Sequence, residues 1–250
     1  MLIFMYAPIV VLIAFSFNAS RSRGQWGGFT LDWYVKMMAD TKIMKALYNT
    51  VLIAVLSSFF ATVIGTFAAI GINNFKKLTR TVVMNITNLP VLNPDIVTGV
   101  SLMILYIFIF RVLNFGQLGF ATLLISHITF NIPYVILSVL PKLKQLNPNL
   151  YEAALDLGAS PMYGFFKVIL PEIMPGIVTG FIMALTLSID DFVISFFTTG
   201  SGVSTLSVTV YAMARRGVDP KINALSTIMF IVVLVLLYTI NKRDSKQLQE

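Results

Sequence analysis

The sequence predicts an all-α, polytopic membrane protein with six transmembrane helices. Three observations carry that expectation. Of the 250 residues 57% are apolar and 12% charged, about half the roughly 25% charge of soluble domains. Mean hydropathy is +0.84. Six stretches approach the ~20 apolar residues that a helix needs to cross hydrocarbon. A soluble fold of this size would expose apolar patches well above the few hundred Å² that soluble monomers carry. This excludes a soluble enzyme, a nucleic-acid binder and a disordered chain. The net charge of +7 is assigned to loops flanking the membrane rather than to nucleic acid. The chain has no cysteine, hence no disulfide and no thiolate metal site.

The expected spans are Met1–Phe17, Tyr48–Ile72, Val82–Phe110, Leu118–Leu140, Ile173–Phe197 and Ile222–Ile240. The first is short but lacks the basic flank and clear cleavage site of a signal peptide, so it is read as a retained span. Between the first two lies a polar loop, Asn18–Leu47, with a surface helix expected over Leu31–Tyr48, capped by Thr30. Asn73–Thr81 is short and basic, with Lys76, Lys77 and Arg80. Pro141–Glu172 holds two short helical patterns, and Thr198–Lys221 is rich in Gly, Ser and Thr. With the N-terminus inside, the 18 Lys and Arg residues divide nine to nine between the two sides. The count therefore does not orient the chain, although the dense 76–80 and 242–246 clusters favour the cytoplasm. No repeat or soluble domain is visible, and one membrane domain is expected to fill residues 1–250.

The connector between the fourth and fifth spans is the most informative segment. Asn147 or Asn149 can cap a short helix whose Glu152 suits the N-terminal dipole. Gly158 can end that helix in the left-handed region. Ser160 then caps a second helix with Pro161 at its first position, and Pro171 stops or kinks the run. The product is a tight elbow at the membrane face.

The run Glu152-Ala153-Ala154, three residues, Gly158, then Val168 with Leu170-Pro171 resembles the EAA loop of ABC-importer permeases. Its one departure is Val168, where the family pattern has Ile. Pro94–Val97, Ser126–Phe130, Ser188–Phe192, Ser16–Asn18 and Asn223–Leu225 are similar to the C-type permeases of the spermidine/putrescine branch. The resemblance covers nearly the whole chain and implies a type I ABC-importer permease (MetI-like) fold. It further implies a cytoplasmic 141–172 loop in a bacterial plasma membrane, with both termini cytoplasmic. Glu152, Ala153, Ala154 and Gly158 would couple to the ATP-binding subunit. The implied partners are a second, B-type permease subunit, two ATP-binding subunits, and an extracellular or periplasmic substrate-binding protein. The implied function is alternating-access transport of polyamines. Related importers of ferric ion or other small solutes share parts of the pattern and stand as the alternative; a stand-alone channel or secondary carrier would need no such loop.

The chain lacks a Gly-x-x-x-x-Gly-Lys-Ser/Thr motif, so ATP and magnesium are assigned to the partner subunits and no cofactor or metal to this chain. Neither nucleophile–base nor metal constellation appears, and no enzymatic activity is expected. The single histidine, His127, has two readings, proton relay or hydrogen-bonded packing residue, and packing is favoured. Three aspartates fall within apolar spans. A carboxylate at mid-bilayer costs about 3 kcal/mol, so each should face a cavity or a partner. Asp95 lies roughly 20 Å beyond Val82 along a helix, just after Pro90 and Pro94, which kink or break it. Irregular backbone at that depth belongs beside protein or a water-filled cavity. Asp190 and Asp191 lie about 26 Å beyond Ile173 and point ~100° apart. One is free to face a path while the other caps the next turn or pairs with an Arg. Asp95, Asp190 and Asp191 are therefore the substrate-binding candidates, with Tyr106, Tyr134, Phe192 and Phe196 as uncommitted aromatic faces.

Overall fold

The computed structural model describes residues 2–21, 25–114, 116–147, 149–216, 219–231 and 234–235. Among these, every regular element is helical. In order they are α1 Leu2–Ser16, α2 Asp32–Met38, α3 Thr41–Asn74, α4 Lys77–Leu92, α5 Asp95–Leu113, α6 Phe120–Gln145, α7 Leu150–Asp156, α8 Pro161–Gly164, a π-helical turn Phe165–Ile169, α9 Leu170–Asp190, α10 Val193–Thr198 and α11 Leu206–Arg216, then α12 Lys221–Ile231. Four runs are long and apolar enough to cross a membrane: α3, α5, α6 and the continuous run Pro161–Asp190. The apolar stretches Tyr6–Ser16 and Lys221–Ile231 are shorter. Residues 232–233 and 236–240 of the last expected span lie outside the described residues, as do Lys242, Arg243 and Lys246.

The breaks between helices have local causes. The expected helix Leu31–Tyr48 is two helices, because Asp40 Oδ1 accepts from the amides of Lys42 (3.1 Å) and Ile43 (3.4 Å) and so starts α3 anew. Thr30 Oγ1 does accept from Asp32 N at 3.1 Å. Val82–Phe110 is broken as its prolines require: α4 ends at Leu92, Asn93 and Pro94 are extended, and Asp95 opens α5. Ile173–Phe197, expected as one helix, is interrupted at Asp191–Phe192. The 141–172 connector is shorter than expected, since α6 runs through Pro141 to Gln145 and the next apolar run begins at Pro161. In that run Pro171 has no N–H to give the Lys167 carbonyl. The turn before it widens, and Leu170 N reaches back to Phe165 O. The Gly/Ser/Thr-rich Thr198–Lys221 segment contains α11.

The chain forms two compact units. One comprises residues 52–200. Its α9 presents Gly176, Gly180, Ala184 and Ser188 at four-residue intervals, all buried. Such a stripe lets a neighbouring backbone approach where lipid supplies no hydrophobic drive. A methyl group placed on Gly180 would lie 3.3 Å from Val135 Cα of α6, and one on Gly65 of α3 2.8 Å from Val135 Cβ. Val135 is fully buried between these glycines, at the centre of a core with Ala61, Ile136, Val139, Ile173 and Ala184. At Gly99 of α5 the same construction meets Phe197 Cδ2 at 3.0 Å, which seats α10 on α5.

The other unit comprises residues 1–51 and 201–250. Trp33, Met37, Ile43, Ala46, Leu206, Ala224 and Leu225 form its core. Asn18, buried, ties the 18–29 loop: its side chain donates to Gln25 O (2.9 Å) and accepts from Ser20 N (3.1 Å) and Gly27 N (2.8 Å). Its carbonyl accepts from Trp33 Nε1 at 2.7 Å. Lys221 Nζ pairs with Asp40 Oδ2 at 2.8 Å. That hydrogen bond holds the Asp40 carboxyl below its ordinary value and the Lys221 ammonium above its own. The contribution of Asp40 is lost only as pH falls through its depressed value, and that of Lys221 only as pH rises through its raised one. The clasp is thus intact across the neutral range.

Candidate functional site

The three span aspartates occupy three different environments. Asp95 is the first residue of α5, behind Pro94, where the helix dipole favours a negative charge. It is exposed, and Tyr134 of α6 lies within electrostatic reach of it. Asp190, the last residue of α9, is also exposed. Among the described residues neither carboxylate is held by a hydrogen bond or ion pair. Asp191 is different. Its side chain is 6% exposed and accepts from Ile194 N (3.2 Å) and Ser195 N (2.7 Å), capping α10. Of the pair, then, Asp191 holds the backbone and Asp190 presents its charge. Among the described residues no hydrogen bond or ion pair joins Asp95 to Asp190.

Asp191 belongs to a buried polar node that single-residue reading of the spans did not assemble. His127 of α6, 1% exposed, places Nδ1 2.6 Å from Ser188 Oγ and Nε2 3.0 Å from Ser195 Oγ. Asp191 Oδ2 stands 3.5 Å from the same Nε2. Ser57 of α3 extends the chain, its Oγ 3.1 Å from Ser188 Oγ. Hydroxyls can turn to suit either imidazole tautomer, so both ring nitrogens are satisfied. This is the packing reading of His127. Its neighbour in sequence, Ser126, serves elsewhere, bonding Tyr106 OH at 3.0 Å and donating to Thr122 O at 2.7 Å. The one signal that leads to Ser188 is its place as the last step of the small-residue stripe.

The elbow is built as its residue types require. α7 ends at Asp156, and Gly158 takes φ +87°. Gly158 N then donates to Leu155 O (2.9 Å) and Ala159 N to Ala154 O (3.1 Å), the paired closure of a Schellman motif. Ala153 and Ala154 are helical positions of α7. Glu152 is exposed in its first turn. Asn149 stands at the cap without a side-chain bond; Asn147 Oδ1 instead accepts from Asn149 N at 3.0 Å. Ser160 Oγ accepts from Tyr163 N at 3.3 Å, with Pro161 following. Gly164 lets α8 close on α7: a methyl there would meet the Tyr151 ring at 3.3 Å. Leu157, 90% exposed, lines a cavity of about 490 Å³ together with Tyr163, and Met162 is exposed as well.

The family of binding-protein-dependent transport system inner membrane components matches residues 61–243, from α3 beyond the last described helix. This chain belongs to that family. The spermidine/putrescine transport system permease protein PotC of Escherichia coli K12 is 39% identical over 93% of this chain and 86% of its own length. The putrescine transport system permease protein PotI of the same strain is 34% identical over 99% of this chain and 90% of its own. Among solved structures, a bacterial ABC transporter involved in the import of the acidic polysaccharide alginate aligns with TM-score 0.75. It has 19% identity and covers 98% of this chain and 91% of that one. The inward-facing MetNI methionine ABC transporter aligns with TM-score 0.61 at 20% identity, covering 83% and 94%. These last two establish the permease fold. By its family and these relatives the chain is a multi-pass membrane permease of a binding-protein-dependent transport system.

Proposed function

We propose that this permease carries polyamines of the spermidine/putrescine class as one of two membrane subunits in an importer driven from outside the chain. The observation that carries the cargo assignment is the 39% identity to a spermidine/putrescine permease across 93% of the chain. On this reading residues 1–250 act as one transmembrane permease domain of six spans, the last ending near Ile240, with both termini cytoplasmic. A B-type permease completes the path. Two ATP-binding subunits, holding ATP and magnesium, dock on the α7 elbow, whose exposed Leu157, Met162 and Tyr163 supply an apolar contact. A binding protein, whose involvement the family description supports, docks outside on the 18–47 and 198–221 loops.

The transport step follows from the breaks. Motor closure pushes α7, and the helices that break at Asn93–Pro94 and Asp191–Phe192 re-open the path to the other side. Asp95 and Asp190 offer separated, unpaired carboxylates to the two ends of a diamine or longer polyamine. Asp191 serves the same path by holding the second break. An anionic cargo would be repelled at both positions.

The test is radiolabelled spermidine uptake by the complete complex, competed with putrescine and with ferric citrate. Putrescine should compete and ferric citrate should not. Asp95→Asn should assemble normally and lower uptake about tenfold or more, the loss expected when a charged hydrogen-bonding partner is removed. Unchanged uptake in that variant would remove Asp95 from the path, and competition by ferric citrate would overturn the cargo.

A further inference from the structure

The basic segment at Lys76–Arg80 has no part in the transport reading, yet its Arg80 lines a cavity beside Tyr151 of α7 in the 52–200 unit. The cavity measures about 680 Å³. Arg80 and Lys144 line it together with Asn73, Asn147 and Tyr151, and no carboxylate is among its lining residues. Arg80 Nη2 is buried and has no hydrogen-bond acceptor. Among the described residues neither Arg80 nor Lys144 forms an ion pair. A buried guanidinium nitrogen with no acceptor is costly unless something outside the chain supplies one. Guanidinium and ammonium groups, flanked by amide and phenol donors, match the oxygens of a phosphate group.

The lining also includes the apolar side chains of Ile70, Leu143, Leu146, Phe165 and Ile169. Free phosphate would leave these uncovered. A phospholipid would place its headgroup on the cations and the start of its acyl chains against the apolar side chains. Basic pockets between membrane helices on the cytoplasmic side take anionic headgroups in this way.

We propose that the Arg80–Lys144 cavity is a binding site for a phosphate group, filled by the headgroup of an anionic phospholipid. The site rests on the proposed cytoplasmic placement of α7 but not on the cargo: it would persist if the transported solute were not a polyamine.

The experiment is native mass spectrometry of the purified full complex in detergent, with phosphatidylglycerol or phosphatidylcholine added, each with and without excess inorganic phosphate. Phosphatidylglycerol should be retained in preference to phosphatidylcholine. Arg80→Gln and Lys144→Gln should each cut that preference about fivefold, the worth of one interfacial cation. Lys77→Gln, which lies outside the cavity lining, should leave it unchanged and so separates the site from diffuse surface charge. Unchanged melting temperature in the Gln variants shows that they remain folded. Displacement of the lipid by inorganic phosphate would keep the phosphate chemistry and overturn the lipid as its source. Two outcomes would overturn the site: no preference in the wild-type complex, or equal loss in Lys77→Gln.

Discussion

Asp190 and Asp191 are adjacent and chemically identical, yet they carry separable predictions. Asp191 accepts two backbone amides at 2.7 and 3.2 Å and stands 3.5 Å from His127. Asp191→Ala removes a helix cap, a loss of about 0.5–2 kcal/mol, and leaves the imidazole with one fewer neighbour. It should lower the melting temperature of the purified permease. Asp190 caps nothing. Asp190→Asn should leave melting unchanged and reduce polyamine uptake. The reverse pattern, with Asp190→Asn less stable and Asp191→Ala stable but inactive, would exchange the two roles. Because neighbouring helical positions diverge by ~100°, the sequence left one of the pair either to cap the next turn or to pair with an Arg, and the structure has Asp191 cap α10. Which one depends on where the backbone breaks, and that is fixed by Ser188, Ser195 and His127 meeting across 61 and 68 residues of chain.

At the scale of elements, helix ends govern how the elbow transmits force. Gly158 lies at φ +87° with open space around the position of a Cβ. The cost of a side chain there is therefore backbone strain, about 1–2 kcal/mol for a residue forced left-handed, and not a clash. Bulk is not required: Gly158→Ala should already loosen the α7 terminus, so that the assembled complex hydrolyses ATP with reduced uptake. Gly158→Asn, which tolerates the left-handed region, should recover most coupling. Parallel measurements of ATPase rate and uptake decide it, and equal failure of Ala and Asn would point to side-chain volume instead. Breaks made by proline and glycine were legible in advance, at Pro94, Gly158 and Pro161, because those residues constrain the backbone themselves. Breaks made by aspartate were not. Asp40 and Asp191 each separate two helices by accepting the first amides of the second, and in sequence such a residue looks the same as one inside a helix. The π-helical turn at Phe165–Ile169 was equally hidden, although Pro171 marks its neighbourhood.

For the whole molecule the open physical question is sidedness, and the chain's composition supplies the means to measure it. On the expected six-span topology Lys and Arg divide nine to nine between the two faces, so charge alone orients nothing. The proposed orientation rests on α7, whose elbow must reach a cytoplasmic motor. Because the chain has no cysteine, any introduced thiol is a single reporter needing no background removal. Lys36→Cys, on exposed α2, and Glu152→Cys, on exposed α7, sit in loops assigned to opposite faces. Neither residue is buried, so neither change should cost more than about 0.5 kcal/mol. In intact spheroplasts a membrane-impermeant maleimide should label Lys36→Cys and spare Glu152→Cys. Inverted membrane vesicles should give the opposite. Labelling of Glu152→Cys from outside would invert the permease, detach α7 from the motor, and leave the carboxylates at Asp95 and Asp190 without the driven step that the transport reading requires.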